Sequence, residues 1–370
     1  MNRSPVWVAD VERFRSNLHA FAAAWREHWP RTDVAYSYKT NRLVDFLHAA
    51  EQAGAGAEVA CEAEYELAIA VVETDPGKIV VDGPAKPDAL LARAGAGGAL
   101  VLADSIAELD RAAAAGVTRI GLRVALDSFT GAVTRFGIAP AEIASAAGAA
   151  ARLGLTVEAL STHLVSTDFD PATGAVVVNW PRPPAEHARA AALLADTARG
   201  LRAGGHPVAT IDLGGGFPPA PAVASHARSV AAALRRGGFD GTLLLEPGRA
   251  MVADAVDLVF TVVAVKTLAD GSRCLVCDAG TNFLPGALTA PPRIEAIGPA
   301  RGPVSPALVT GPLCLNVDVI HPRARLPAVA PGARLVARSV GAYQQSAATG
   351  FGEAPPPVTV RNRAAQPVSV

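Results

Sequence analysis

Short apolar runs and longer amphipathic stretches alternate along the chain as far as Met251. The apolar runs have strand length and β-branched or aromatic character: Val34–Lys39, Ala57–Cys61, Lys78–Asp82, Ala99–Ala103, Arg119–Leu126, Val157–Val165, Ala209–Leu213 and Thr242–Glu246. Between them lie Ala-rich helical stretches such as Glu62–Val72, Ser105–Ala115, Ala141–Leu153, Ala185–Ala203 and Ser225–Arg235. Strands that alternate with helices in this number predict an α/β fold, a (β/α)8 TIM-like barrel. An open doubly wound sheet is the competitor. Regular spacing and a polar residue at nearly every strand end favour closure. Ahead of the series, Ser4–Asp10 reads as one more strand. Asp10 can cap the helix that carries Phe14, Leu18, Phe21 and Trp25 inward.

After Met251 the period changes. Val256–Val265, Arg273–Cys277, Ala307–Thr310, Val317–Ile320, Arg334–Ala337 and Val358–Val360 read as strands joined by Pro- and Gly-rich turns, so a second, all-β module begins near residue 253. Within it, Ala287–Val304, with Pro291, Pro292, Pro299 and Pro303, reads as a loop-rich insertion.

A chain of 370 residues suits a large barrel plus such a module, and its 50% hydrophobic content, mostly Ala and Val, supplies the core. A net charge of −1 leaves no footprint for nucleic acid or an anionic membrane, and no apolar window is long enough to span a bilayer. The start, Met1-Asn2-Arg3-Ser4-Pro5, lacks the apolar core of a signal peptide, so a cytoplasmic protein acting on small molecules is expected. Cys274 and Cys277 form a CxxC pair but fall on one strand, where residues three apart point to opposite faces; no metal is assigned.

Chemistry in a barrel gathers at the C-terminal ends of its strands. Lys39 ends the first barrel strand. It is either a solvated surface charge or an amine pushed toward neutrality by burial and able to form a Schiff base. Gly214-Gly215-Gly216 is either an ordinary turn or a phosphate cradle, to which Gly248 and Arg249 on the next loop could contribute. Glu246 closes the apolar run Leu243-Leu244-Leu245, where a carboxylate needs a cationic partner. His163, after Ala159–Thr162, reads alone as a satisfied core residue. A lysine, a phosphate cradle, a carboxylate for a ring nitrogen and a flat aromatic cover are together what pyridoxal 5'-phosphate requires.

Tyr38-Lys39-Thr40-Asn41, the helix start at Glu64, Arg135-Phe136-Gly137, His163 with Ser166, Asp212–Phe217 and Glu246–Arg249 occur in that order. Asp278-Ala279-Gly280, Gly311-Pro312-Leu313-Cys314 with Asp318, and Gly341-Ala342-Tyr343 complete the series. In this the chain resembles the fold type III (alanine-racemase-like) pyridoxal phosphate enzymes, in their diaminopimelate/ornithine/arginine decarboxylase branch. The resemblance implies a barrel over residues 26–252 and a β-domain of 253–370 joined by 1–25, including the N-terminal strand. It also implies a homodimer whose active sites are completed by the partner's β-domain.

The resemblance further implies that Lys39 carries the cofactor and that His163 stacks on its ring. Ser166, Gly214, Gly215, Gly216, Gly248, Arg249 and Tyr343 would surround the phosphate, and Arg123 would lie near the phenolic oxygen. Glu246 would keep the ring nitrogen protonated, and Cys314 from the second subunit would donate the proton that replaces CO2. Asp318, Leu315 and Tyr343 are the expected substrate contacts. Relatives acting on diaminopimelate or ornithine carry an acid just after the cysteine, where this chain has Leu315-Asn316. The Arg-Pro and Tyr of the diaminopimelate enzymes are replaced by Asn282–Ala287. A substrate with a different or masked distal end is implied: an amino-acid conjugate, carrier-protein-tethered or siderophore-type, of specialised metabolism. Racemisation on the same fold and a non-catalytic homologue are the alternatives.

Overall fold

A computed structural model describes residues 4–298 and 302–361. Pro299 and the outer ends of the two expected domains lie outside the described residues. The chain forms two compact units, Arg15–Ala250 and Met1–Phe14 with Met251–Val370.

The first unit is a closed barrel of eight parallel strands: Thr32–Ser37, Gly56–Val59, Ile79–Val81, Leu100–Ala103, Arg119–Arg123, Thr156–Ser161, Thr210–Asp212 and Thr242–Leu245. The last pairs with the first, Leu245 opposite Val34, and this closes the ring. Its interior is filled by small and branched side chains, with Ala35, Val80, Leu100, Leu102, Ala159 and Leu244 forming one buried cluster. Expected strands extended two to four residues too far at several C-terminal ends. There the polar residues turn out of the sheet into loops.

Two short strands, Thr167–Phe169 and Val176–Val178, form a hairpin that the hydrophobic pattern did not register. The helix Val11–Arg26 packs Phe21 and Trp25 on Phe217, with ring centroids 5.9 and 5.1 Å apart. Most of this helix therefore belongs with the barrel, and the units divide after Phe14 rather than at residue 25.

In the second unit Arg293–Ala296, Arg334–Arg338, Val256–Thr267, Arg273–Cys277, Ser305–Thr310 and Val319–Leu326 lie side by side in that order. Val6–Asp10 joins this sheet, antiparallel to Val256–Thr267 and parallel to Val358–Arg361, as the fold expectation required. Arg293–Ala296 corrects the loop reading of Ala287–Val304: four residues between proline-rich flanks pair antiparallel with Arg334–Arg338. No helix among the described residues is long and apolar enough to cross a membrane.

Candidate active site

Lys39 lies just past its strand, in the short 3-10 turn Tyr38–Thr40. Its Nζ donates to both carboxylate oxygens of Glu58, 2.5 Å from each. Glu58 is fully buried on the neighbouring strand Gly56–Val59, whereas the lysine side chain is 36% exposed. One oxygen each from Glu58, Asp82 and Glu246 lies within 4.8 Å of the others. Burial pulls the Lys39 ammonium down, but Glu58 first, then Glu246 and Asp82, outweigh it and hold the group above its ordinary range. Neither sequence reading is met as stated. The amine is reachable, yet it is clamped in its charged form rather than driven neutral.

Arg123 is 7% exposed at the end of its strand. Its Nη1 donates to both Asp82 oxygens at 3.1 Å and to Asp104 at 3.3 Å. Phe136 lies between two guanidinium groups, Arg123 at 4.8 Å and Arg135 at 4.1 Å from the ring centroid. Gly137, at φ +81°, donates its N–H to Asp104. The Arg-Phe-Gly motif thus touches both Arg123 and its partner Asp104. Glu108 in turn accepts the Asp104 N–H at 2.9 Å and pairs with the buried Lys86 at 3.0 Å.

The glycine turn is fixed through its carbonyls. His187 Nε2 meets the Gly215 carbonyl at 3.1 Å, the Arg182 N–H donates to Gly216 at 2.9 Å, and Trp180 Nε1 donates to Phe217 at 3.0 Å. Three successive carbonyls are thereby tied to the segment that follows the hairpin. Two of the N–H groups also have protein acceptors, Gly214 on Asp212 at 2.8 Å and Gly215 on His163 Nδ1 at 3.1 Å. The latter bond assigns the His163 proton to Nε2. Burial first, then Lys39 and Arg123, depress this ring to about 3, so it presents a neutral face at any working pH. Arg249 stands over Trp180 at 5.4 Å, and the Ser166 carbonyl accepts from the Asn179 N–H at the neck of the hairpin.

Asp212 and Glu246 end adjacent strands and are 0% and 3% exposed. Burial pushes Asp212 up to about 7, against the Gly214 N–H that it accepts. Burial, followed by the charges of Asp212, Glu58 and Asp82, holds Glu246 well above the carboxylate range. The cation that opposes this rise is Lys39.

Lys39, Arg123, His163, Ser166, Gly214, Gly215, Gly216, Glu246, Gly248 and Arg249 all fall on the barrel unit, and Cys314, Leu315, Asp318 and Tyr343 on the β-unit. Cys314 is exposed, as are Leu315 at 47% and Tyr343 at 39%. Asp318 is only 2% exposed, and its carboxylate is bonded within its own unit. Sequence reasoning missed Glu58 and Asp82 as site residues. The one available signal was a charge inside an otherwise apolar strand.

A barrel whose strand ends gather a reachable lysine, a glycine turn and buried carboxyls defines a cofactor-dependent enzyme site of the lysine-anchored class. Residues 15–253 match the family model described as pyridoxal-dependent decarboxylase, pyridoxal binding domain. The chain belongs to this family, and its cofactor is pyridoxal phosphate. It is 40% identical to diaminopimelate decarboxylase of Helicobacter pylori over 121 residues, which cover 32% of this chain and 30% of that enzyme. The alignment thus spans under a third of that relative. A longer match, 28% identical over 389 residues, covers 98% of this chain and 89% of the Neisseria meningitidis diaminopimelate decarboxylase. The crystal structure of the H. pylori enzyme complexed with L-lysine superposes with a TM-score of 0.83 at 23% identity, covering 95% of this chain and 89% of that one, a likeness of fold.

The residues present fit the cofactor. A Cβ added at Gly214 would lie 2.4 Å from His163 Nδ1, and one at Gly248 would lie 2.0 Å from Thr40 Oγ1; close approach at both turns requires glycine. Glu246 Oε1 and Asp212 Oδ2 are buried with no hydrogen bond, among the described residues, from outside the Asp212–Glu246 pair, which leaves that pair free to turn to a polar ring.

Proposed function

We propose that the protein is a pyridoxal 5'-phosphate-dependent carboxy-lyase that removes the α-carboxylate of an amino acid whose distal end is uncharged or masked. A carrier-protein-tethered amino acid or a siderophore-type conjugate of specialised metabolism is the leading substrate class. One observation carries the reaction type: an enclosed carboxyl, Glu246, clusters with Glu58, which holds the reachable amine of Lys39.

When bound, the cofactor supplies an electron-poor ring that takes up the electron pair left by departing CO2. Glu246 would face the ring nitrogen: its high titration brings a proton into the site, and once that proton is on the ring the carboxylate left behind would pair with it and keep it charged. Lys39 anchors the cofactor and must become neutral to do so; Glu58, with both oxygens on Nζ, is placed to take its proton. His163 covers the ring with an uncharged face, and Arg123 is held in one pose for the phenolic oxygen. Gly216, Gly248 and Arg249 remain to hold the phosphate, with Ser166 and Tyr343. Cys314 of a second copy in a homodimer gives the new proton to Cα.

Purified protein should absorb in the visible, and Lys39→Ala should abolish that absorbance. A colourless wild type with no borohydride-reducible adduct would sink the cofactor assignment to Lys39. A CO2-release screen over free, conjugated and carrier-bound amino acids identifies the substrate, and exchange of the Cα hydrogen in deuterated water without CO2 release would mark a racemase instead.

A further inference from the structure

The Asp318 carboxylate has three bonds inside the β-unit. Oδ1 accepts the Thr281 N–H at 2.7 Å and the Thr281 hydroxyl at 3.0 Å, and Oδ2 accepts the Leu313 N–H at 2.8 Å. Its backbone closes the same loop from the other side, because Gly311 N–H donates to the Asp318 carbonyl and Asp318 N–H donates to the Leu315 carbonyl, each at 3.0 Å. The segment Gly311–Asp318, with Cys314 at its tip, is therefore a ring pinned on both flanks. The pin is built into the glycines as well. A Cβ at Gly280 or Gly311 would fall 2.5 or 2.4 Å from the carboxylate oxygens, so either side chain would evict it.

We infer that Asp318 is the positioning residue for Cys314: it ties the Asp278–Thr281 turn to the Cys314 loop and fixes where the thiol points. The inference rests on the proposed role of Cys314 as proton donor. A carboxylate suits the task, since it accepts several N–H and O–H bonds at once and charge-assisted bonds of this kind are roughly twice as strong as neutral ones. An exposed loop with six residues between its pins and no helix or strand of its own would otherwise sample many thiol positions. A mislaid thiol affects proton delivery without touching the cofactor, because Asp318 bonds neither Lys39 nor the glycine turn.

The test uses the holoenzyme and two variants. Asp318→Asn keeps the size but loses one acceptor oxygen, and Thr281→Val removes only the hydroxyl bond. The first readout needs no turnover: the rate of iodoacetamide alkylation at Cys314, followed by peptide mapping, with Cys61 as internal control. Asp318→Asn should change that rate about tenfold and Thr281→Val about threefold in the same direction, with Cys61 unchanged; these sizes correspond to losing one to two hydrogen bonds. The second readout is the ratio of amine formed to CO2 released on a substrate from the screen. Correct protonation at Cα gives one amine per CO2. Protonation on the cofactor's carbon instead gives, after addition of water, one aldehyde per CO2 and leaves the amino group on the cofactor. The ratio should fall in Asp318→Asn while visible absorbance at rest is kept. If Cys314→Ala lowers the ratio and a folded Asp318→Asn does not, or if its Cys314 alkylation stays within twofold of wild type, the inference is overturned. If Cys314→Ala itself leaves the ratio at one, the proton-donor reading fails instead. Should Asp318→Asn not fold, Thr281→Val decides by the same two readouts.

Discussion

Gly214→Ala tests whether the glycine turn and His163 are one device. Gly214 sits at φ +58°, and its new Cβ would lie 2.4, 2.9 and 3.0 Å from His163 Nδ1, Cγ and Cβ. Left-handed backbone costs a side-chain-bearing residue roughly 1–2 kcal/mol. Forcing a methyl into a filled space costs about 1–3 kcal/mol more, so a loss of roughly 2–5 kcal/mol is expected. In a unit of this size that lowers the melting temperature by about 10 °C. The overlap must also turn the imidazole away and break its bond from the Gly215 N–H, so cofactor affinity should fall at least about tenfold, about 1.4 kcal/mol. Gly154→Ala is the control. It has φ +76° with nothing within 4 Å of the new Cβ, so it carries the backbone strain alone. Thermal melts and cofactor titrations of both variants separate the terms. If Gly214→Ala melts and binds like Gly154→Ala, His163 is not braced by the turn and the argument fails.

The titrations give a second test. His163 is held to about 3 and His187 to about 4, so between those values and 6.5 the unfolded chain binds more protons and stability rises with pH. At pH 5 each histidine removes roughly 2 kcal/mol relative to pH 7.5. Asp212, raised to about 7, works the other way: it destabilises the fold as pH rises from its unfolded value, and acidification to pH 5 returns roughly 2–3 kcal/mol. Wild-type stability should therefore fall by only about 1–2 kcal/mol between pH 7.5 and 5, while Asp212→Asn should lose about 4 kcal/mol over the same interval in urea melts; parallel curves would count against the opposed titrations. Glu58→Gln removes the largest influence that keeps Lys39 charged, so apo-protein should capture pyridoxal phosphate about tenfold faster at pH 7 for each unit by which the amine falls. A slower capture, read by stopped-flow absorbance, would mean that Glu58 matters more as proton acceptor than as clamp.

The barrel was legible because each strand is an apolar run bounded by helical periodicity, and Lys39 because a charge at such a boundary needs a reason. Glu58 was not, since the strand Gly56–Val59 carries it among small residues and nothing in four letters says that its neighbour's lysine reaches across. The hairpin strands are three residues each, too short to show a period, and Arg293–Ala296 hides between prolines. Asp318 was legible as a residue of the Cys314 loop, but its bonds were not. Its spacing from Cys314 places it on the right loop, but the direction of its carboxylate depends on Gly280 and Gly311, which leave room for it.

The charges at the barrel mouth do not balance, and that imbalance bears on how the site works. Glu58, Asp82, Asp104, Asp212 and Glu246 are each at most 8% exposed, against two cations in direct contact with them, Lys39 and Arg123. Buried carboxylates in such an excess must take up protons or destabilise the fold. The two that rise, Asp212 and Glu246, close the adjacent strands Thr210–Asp212 and Thr242–Leu245 and have no ion pair among the described residues, so the protons collect on that strand pair. Glu58 and Asp82 are bonded directly to the cations, Lys39 and Arg123, although one oxygen of each lies within 4.8 Å of Glu246. The polarity of the site is thus laid down by the fold before any ligand arrives: a proton-rich carboxyl pair beside the glycine turn, and a charged lysine held ready by an acceptor. A ring nitrogen that needs a proton and an aldehyde that needs an amine meet opposite demands, and this division supplies each from a different strand pair.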